Sequence, residues 1–418
     1  MFTEREAASG LDELMRFALL GDHRDGLDLA RALAASGRHE LSLYSGPASG
    51  LAPLHRLGLN PRAIADLEEV LADPDLDAVI IASSTSARAA QLRRALQSEC
   101  HVLCVHPADP SPDVAYEAAL IQTDTGRALL PLLPLAQHPA FARAADMARA
   151  GSVRMVELEI WTTEDAFLDG ELKLSLPGWD VLRFVAGEIG EVYLQSAQPE
   201  LRPGQPLLVS GRFLGEVLFQ STYLPGQSES RWRLSLVTTT GRATLLFRDG
   251  FPGPADWTFT DENGETRTES FAAFDPWTAL LERFEQAVRN APSKKLTPGQ
   301  AADECLTKTP PVLGWQDELR ALELDDAARR SAERGRSSTL DLQVTTEEAS
   351  FKGTMTLVGC SLIWLTVAVL ILAIWLPYLA LLIVPVFAIF LVLQALRWIV
   401  PKSESSPHAP HEESSRGA

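Results

Sequence analysis

Short apolar segments alternate with amphipathic segments through residues 15–149 of the chain. The apolar segments are typical of buried β-strands, and the amphipathic segments are typical of helices of about ten residues. Strands that alternate with helices in this way predict a parallel sheet with helices on both faces. The predicted strands are MRFALLG, ELSLYS, LDAVIIAS, HVLCVHP and RALLPLLP, and the predicted helices are LDLARALAAS, IADLEEVLA, RAAQLRRALQS and PDVAYEAALIQT.

The turn after the first predicted strand is the place where a sheet of this kind would hold a phosphate group. The sequence there is GDHRDG, so Gly21 and Gly26 keep the first and third glycines of the dinucleotide fingerprint while His23 stands at the second. An imidazole would occupy the position where the backbone must approach a pyrophosphate, and the two aspartates add negative charge at the helix start. The second strand ends in YSG at 44–46 instead of the acid that holds a ribose. Both features argue against ordinary dinucleotide binding.

Residues 67–107 carry the most specific pattern in the chain. They read LEEVLADPDLDAVIIASSTSARAAQLRRALQSECHVLCVHP, which is similar to LADPDVDAVVVATPN, a helix and GKHVLCEKP, the pattern of the Gfo/Idh/MocA family of glucose-fructose oxidoreductases and inositol dehydrogenases. The register holds without a gap from Ala82 to Pro107, and the resemblance extends over about 15–336. It implies an α/β Rossmann-like parallel-sheet domain, an α+β antiparallel-sheet domain after it, and NAD or NADP as the cofactor.

The family's EKP sequence supplies a lysine thought to assist proton transfer, next to a proline that is often in the cis form. Here the three positions are Val105, His106 and Pro107, so the resemblance implies His106 as a catalytic candidate. An imidazole ordinarily titrates near a pKa of ~6.5 and can act as an acid or a base. The alternative is a hydrogen-bonded histidine at a strand end with no chemical role. The positions that the resemblance implies for cofactor binding are Gly21, His23, Gly26, Ser83 and Pro107.

A second catalytic motif of the family, DxxxHxxD, falls on residues 173–180. Its last aspartate is kept as Asp180, but Lys173 and Pro177 stand where the family has the Asp and His that transfer the proton. Proline has no titratable group. Lys173 is a candidate site residue as an anion ligand, with a solvated surface lysine as the alternative.

From Val153 onward the chain alternates apolar and polar residues with a period of two, which predicts antiparallel strands with one covered and one exposed face. The turns TTTG and ENGE indicate hairpins. Two helices, at about 276–290 and 316–334, are expected to pack back on the structure. The resemblance implies that this domain carries the substrate pocket and uses its open sheet face to form a homodimer.

No charged residue occurs from Gly353 to Leu396. A spanning helix needs about 20 apolar residues, so this segment is long enough for two passes through a bilayer. The sequence WLPY at 375–378 indicates a tight turn, because proline lacks a backbone donor and aromatic residues prefer the headgroup level. The helices are predicted at about 355–375 and 379–400.

A hairpin places both of its flanks on the same side of the membrane. The nearest cations, Lys352, Arg397 and Lys402, indicate the cytoplasmic side, in agreement with an N-terminal sequence that lacks the pattern of a signal peptide. We therefore expect residues 353–400 to have the bilayer as their partner, in an inner or cytoplasmic membrane. The soluble domains and both termini are expected in the cytoplasm.

These patterns divide the chain into six parts. The predicted parts are an N-terminal extension at 1–14, a Rossmann-like domain at 15–150, an α+β domain at 151–336, a linker at 337–352, the transmembrane hairpin at 353–400 and a disordered tail at 401–418.

The chain has 55 acidic and 37 basic residues, for a formal net charge of -18. Nucleic-acid binding relies on clustered lysine and arginine, so we expect no nucleic-acid partner. The four cysteines have neither CxxC spacing nor a matched histidine cluster. This pattern favours a reducing compartment and predicts no metal site.

Four elements of the dehydrogenase machinery are altered: the second glycine of the turn, the ribose acid, the EKP lysine and the Asp/His pair. The scaffold pattern remains, which predicts a membrane-anchored protein of this fold that acts as a non-catalytic binding or scaffolding module. The alternative is an atypical NAD(P)-dependent oxidoreductase that uses His106 on a sugar or cyclitol. A third hypothesis gives the function to the membrane hairpin and a regulatory role to the soluble part.

Overall fold

The computed structural model of the protein describes residues 14–133, 137–163, 175–198, 201–202, 204–291 and 314–340, which belong to one compact unit, Met1–Leu342. Lys173, both predicted membrane helices and the predicted tail lie outside these ranges. Within the described ranges, no helix has both the length and the apolar composition needed to cross a bilayer.

Among the described residues, the first sheet has six strands, all parallel. The elements of this domain are β1 (Arg16–Leu20), α1 (Arg24–Ser36), β2 (Glu40–Ser45), α2 (Leu51–Arg56), β3 (Arg62–Ala63), α3 (Leu67–Leu71), β4 (Ala78–Ile81), α4 (Thr85–Gln97), β5 (His101–Val105), α5 (Pro112–Thr125), β6 (Leu129–Leu132) and α6 (Pro139–Arg149). The strand order is β3-β2-β1-β4-β5-β6, so the direction of winding reverses between β1 and β4. The predicted Rossmann-like parallel sheet is confirmed.

Alternation along β1 explains why helices cover both faces of this sheet. Phe17 and Leu19 belong to the core on one face, and Ala18 and Leu20 belong to the core on the other. All four side chains are fully buried. A strand that is apolar on both sides must lie in the middle of a doubly covered sheet, as β1 does.

The second sheet has nine strands within the described residues, in the order β14-β13-β12-β11-β7-β10-β9-β8-β15. Its strands are β7 (Val153–Trp161), β8 (Ile189–Ser196), β9 (Leu207–Phe213), β10 (Leu218–Leu224), β11 (Arg231–Thr238), β12 (Gly241–Phe247), β13 (Ala255–Asp261), β14 (Thr266–Phe271) and β15 (Ser338–Thr339). The helices of this half are α7 (Trp179–Ala186), α8 (Pro276–Asn290) and α9 (Trp315–Arg334).

One strand pair corrects the prediction of a purely antiparallel sheet. β10 pairs with β7 in parallel, whereas the other pairs of this sheet among the described residues are antiparallel. The chain leaves β7, passes through α7 and the antiparallel strands β8 and β9, and returns beside β7 in the same direction. The alternation pattern predicts strands and covered faces but not which strands become neighbours.

The last two helices complete both cores of the first sheet. Leu280 and Phe284 of α8 pack with Phe17 on one face. Trp315 and Leu319, in the first turns of α9, belong to the core on the other face. The later turns of α9 contribute to the core of the second sheet. Helix α9 therefore runs from one sheet to the other, and its middle lies where the two meet.

Candidate functional site

The crevice between the ends of β1 and β4 is built around two glycines. Gly21 has φ +98, and a Cβ placed on it would lie 2.3 Å from the carbonyl oxygen of Ala82. Its N–H donates to the carbonyl oxygen of Ser45 at 2.7 Å. A Cβ on Gly26 would lie 2.3 Å from the Ala82 Cβ, so α1 packs directly on the end of β4. Chain packing alone therefore requires both glycines.

His23 closes the start of α1. Its Nδ1 accepts a hydrogen bond from the backbone N–H of Asp25 at 3.3 Å. The backbone N–H of His23 donates to the carbonyl oxygen of Ala82 at 2.8 Å. Burial lowers the pKa of His23, and the Asp25 carboxylate opposes only part of that shift. Burial also raises the pKa of Asp25, against the influence of His23. The imidazole thus accepts the backbone N–H of Asp25, a donor at the helix start that would otherwise bind a pyrophosphate.

The end of β2 is closed by a tyrosine rather than opened for a ribose. The Tyr44 hydroxyl donates to Pro47 O at 2.7 Å. A Cβ on Gly50 would lie 2.1 Å from that hydroxyl oxygen, so the turn is packed against it. Burial, with a smaller contribution from Asp22, raises the pKa of Tyr44 to about 12. Asp22 itself accepts a hydrogen bond from the Ser49 hydroxyl at 2.8 Å.

Arg88 joins two further positions that the sequence assigned to the cofactor. Its Nε donates to Ser83 O and its Nη1 donates to Pro107 O, each at 2.8 Å. The Arg88 residue is only 3% exposed. The His106–Pro107 peptide bond is cis, as the resemblance implied for this proline. The structure therefore brings Gly21, Ser83 and Pro107 to one edge of the sheet.

A cleft of about 550 Å³ extends from the start of α1 to the second sheet's helices. The residues of its lining that matter below are His23, Asp25, His106, Trp179, Asp180 and Ala321. His23 and His106 thus lie on one cavity, although 83 positions separate them in the sequence.

His106 forms a buried pair with Glu318, a residue that the sequence did not single out. His106 Nδ1 lies 2.7 Å from Glu318 Oε2, and Glu318 Oε1 accepts the N–H of Ala108 at 2.7 Å. The Glu318 side chain is 1% exposed. Burial by itself lowers the pKa of His106, but the charge and hydrogen bond of Glu318, with smaller contributions from Asp325 and Asp180, raise it and the net shift is upward. The pair places on the cleft wall an imidazole whose protonated form is stabilised by a carboxylate.

Two more carboxyl groups lie beside this pair. Asp325 Oδ1 accepts hydrogen bonds from Trp179 Nε1 at 2.8 Å and from the N–H of Leu176 at 3.1 Å. Asp180, the aspartate kept from the family's motif, is 4% exposed and lines the cleft in the first turn of α7. Burial is the main cause that raises the pKa of Asp325 to about 7. Across the described ranges, no group of three or more His, Cys, Asp or Glu side chains is arranged to hold a metal ion.

A signal for Glu318 and Asp325 exists in the sequence. They stand seven positions apart in an amphipathic helix, so both fall on one face. That face is the buried one, since Leu322 and Ala321 lie between them and are 2% exposed. Acidic residues on a buried helix face require a partner. The partner of Glu318 lies 212 positions away, which a local pattern does not reveal.

The residues present do not fit a dinucleotide. The turn keeps the backbone of the fingerprint, but His23 Nδ1 accepts the N–H of Asp25, and the carboxylates of Asp25 and Asp28 line the cleft beside Arg24. The end of β2 offers Tyr44 and Ser45 in place of an acid for the ribose hydroxyls. The fold of a nucleotide-binding domain is therefore present without its usual phosphate and ribose ligands.

Comparison with known proteins supports the Gfo/Idh/MocA resemblance. Residues 28–130 match the model of the oxidoreductase family GFO_IDH_MocA, described by its NAD-binding Rossmann fold. An uncharacterized oxidoreductase of Bacillus subtilis (strain 168), YrbE, is 26% identical over 148 residues. That match spans 32% of this chain and 42% of YrbE, which is less than half of the relative's length.

Solved structures share the fold over most of their length. A myo-inositol dehydrogenase from Corynebacterium glutamicum has a TM-score of 0.60 and 21% identity, and covers 79% of this chain and 100% of its own. The UDP-N-acetylglucosamine 3-dehydrogenase GnnA of Acidithiobacillus ferrooxidans has a TM-score of 0.61 and 18% identity, and the match covers 77% of this chain and 99% of GnnA. A levoglucosan dehydrogenase in complex with NADH and L-sorbose has a TM-score of 0.63 and 13% identity, and the match covers 79% of this chain and 100% of that enzyme.

Proposed function

We propose that this protein is a membrane-anchored binding or scaffolding module built on a dehydrogenase-type fold, without dinucleotide-dependent catalysis. The observation that supports this most directly is the hydrogen bond from the Asp25 N–H to His23 Nδ1 at the start of α1. In a dinucleotide site, N–H groups at this position face the pyrophosphate. Here an imidazole takes the donor, and the carboxylates of Asp22 and Asp25 repel a phosphate.

The cleft supports binding of a polar small molecule, for which a sugar or cyclitol is the class we favour. Its lining includes Trp179, His106 and Asp180. Charged, polar and apolar residues all line the cleft, and polar groups that orient a ligand beside an apolar surface are typical of small-molecule sites. Solved proteins of this fold include a myo-inositol dehydrogenase and an enzyme in complex with L-sorbose, which favours the same class.

The anchoring part of the proposal is supported by the sequence of residues 353–400. Their uncharged run is long enough for two membrane helices, and its flanking cations favour the cytoplasmic side for the folded unit and both termini. A homodimer through the open face of the second sheet remains part of the proposal. The acidic net charge of -18 supports the expectation that nucleic acid is not a partner.

The nucleotide part of the proposal is tested by a fluorescence titration of the full-length protein in detergent with NADH and NADPH. We expect no saturable energy transfer from tryptophan to the nicotinamide, because the phosphate-binding turn presents carboxylates. Saturation at micromolar nucleotide would contradict the proposed function.

A second candidate function is an atypical NAD(P)-dependent oxidoreductase. The His106–Glu318 pair favours it, because a carboxylate that orients an imidazole is a common arrangement for an acid or base. In this function His106 would take the proton of a hydroxyl group bound in the cleft, and Glu318 would stabilise the imidazolium that forms. Asp180 would orient the ring of the bound molecule.

Turnover separates the two candidate functions. We expect no reduction of NAD⁺ or NADP⁺ when the full-length protein is incubated with myo-inositol or L-sorbose. The variants His106→Asn and His55→Asn are measured beside it, because His55 is exposed on α2. Reduction by the native protein that is lost in His106→Asn and kept in His55→Asn would establish the second candidate.

A further inference from the structure

Asp325 is buried, and only one of its two carboxyl oxygens has a hydrogen-bond partner among the described residues. It is 5% exposed, and its Oδ1 accepts two hydrogen bonds from neutral donors, the indole of Trp179 and the backbone of Leu176. Its Oδ2 is buried and has no hydrogen-bond partner among the described residues. A carboxylate is stable in a protein interior when its oxygens are paired, so this half of the carboxyl group favours a proton.

The surroundings of Asp325 carry more acid than base. Buried carboxyl groups that lie close together cannot all be ionised, because each charge raises the cost of the next. Glu318 is paired with a basic group, because its Oε2 lies 2.7 Å from His106 Nδ1. Asp325 has no such pair, because both of its hydrogen-bond donors are neutral. Among the described residues, the titratable groups that face Asp325 and His106 are Glu318 from α9, Asp180 from α7 and Tyr223 from β10.

We propose that Asp325 is a positioning residue for His106: when its buried carboxyl group loses its proton, the negative charge, two helical turns from Glu318 on α9, favours the protonated imidazole on the cleft wall. Asp325 lies two helical turns from Glu318, whose carboxylate lies 2.7 Å from His106 Nδ1, so the charges of Asp325 and His106 influence each other. Loss of the Asp325 proton favours the imidazolium, and loss of the His106 proton favours protonated Asp325. The titration of each group therefore depends on the charge of the other.

The spacing along α9 is what couples Asp325 to the cleft. Glu318 and Asp325 lie two helical turns apart on one face, with Ala321 between them. Ala321 lines the cleft, so a small side chain separates the cavity from the two acids. The indole of Trp179, another residue of the lining, donates a hydrogen bond to the Asp325 carboxyl group. A ligand in the cleft would thus contact an imidazole whose protonation depends on the charge of Asp325.

The test is the titration of His106 followed by NMR on the full-length protein with ¹³C-labelled histidine, the signal being assigned with His106→Asn. Two sites that interact strongly titrate in a broadened curve that belongs to the pair. We expect such a curve for the native protein. In Asp325→Asn, whose amide oxygen can accept the same two hydrogen bonds, we expect one ordinary step with a midpoint lower by about one pH unit.

Asp326→Asn is the matched control. Asp326 is the next residue of α9, and its carboxylate pairs with Arg329 and Arg330. We expect its His106 curve to overlay the native curve. A native-like curve in Asp325→Asn, or an equal shift in both variants, would overturn the proposal. If Asp325→Asn does not fold, the native curve decides, because a single ordinary step for native His106 contradicts a coupled pair.

The inference rests on the proposed function only in that it gives the cleft a ligand for His106 to meet. The NMR titration is made without nucleotide or ligand. It can fail while the proposed function stands, and nucleotide binding can be found while the coupling of Asp325 to His106 holds.

Discussion

Replacing Gly21 by alanine is expected to lower the free energy of unfolding by about 4 kcal/mol. The backbone there has φ +98, which is strained for any residue with a side chain, and the new Cβ would lie 2.3 Å from three backbone atoms of Ala82 and Ser83. Neither neighbour can turn away, because both belong to the backbone at the end of β4. Chemical denaturation of the full-length protein, followed by tryptophan fluorescence, measures this loss.

Gly37→Ala is the matched control for Gly21→Ala. Gly37 ends α1 with φ +60, and a Cβ on it would meet no atom within 4 Å. The left-handed backbone alone should cost about 1 kcal/mol. An equal loss of unfolding free energy in the two variants would contradict the close contact between Gly21 and the backbone at the end of β4. The contrast matters because it assigns the surviving glycines of the turn to packing rather than to a cofactor.

Replacing Glu318 by alanine is expected to cost about 3 kcal/mol of unfolding free energy. The change leaves the N–H of Ala108 and the buried His106 without their acceptor. Denaturation at about pH 6 and about pH 9 separates the charge from the hydrogen bonds. Glu333→Ala, at an exposed ion pair with Arg329 near the end of α9, should change the stability by less than about 0.5 kcal/mol.

The pH dependence of the Glu318→Ala effect has a definite sign. The pKa of His106 is raised in the folded protein, so its contribution to stability is fully present below the unfolded value of ~6.5 and is lost as the pH rises through the folded value. Without Glu318, the pKa of His106 loses its largest raising influence, and burial opposes the charged imidazole. The gap between native protein and variant should therefore be wider at about pH 6 than at about pH 9. A gap that widens toward high pH would contradict the ion pair.

The strands and helices of the first domain follow from local patterns. The apolar runs and the amphipathic helices between them are long enough to show their periods, and the two glycines of the first turn mark where α1 meets β4. Periodicity does not predict β3, because two residues show no period. The parallel pairing of β7 with β10 depends on the path of the chain between them, which local sequence does not specify.

The candidate site was predicted in part. His106, Gly21, His23, Gly26, Ser83 and Pro107 were placed by resemblance, and the structure brings them to the edge of the sheet or onto the cleft. The role of His23 as an acceptor at the start of α1 depends on its side-chain orientation, which a motif does not state. The sequence places Glu318 and Asp325 as acids on the buried face of a helix, but their partners are found only through contacts between distant parts of the chain. Lys173 lies outside the described residues and stays a prediction.

The measurement that tests the central claim most directly is NADH binding by the full-length native protein, compared with His23→Gly in the same titration. The native protein should show no saturation up to about 1 mM NADH, which corresponds to a binding free energy no more favourable than about −4.1 kcal/mol. Binding in His23→Gly should be tighter than in the native protein, because the variant frees the N–H of Asp25. A micromolar Kd for the native protein, unchanged in His23→Gly, would contradict the account.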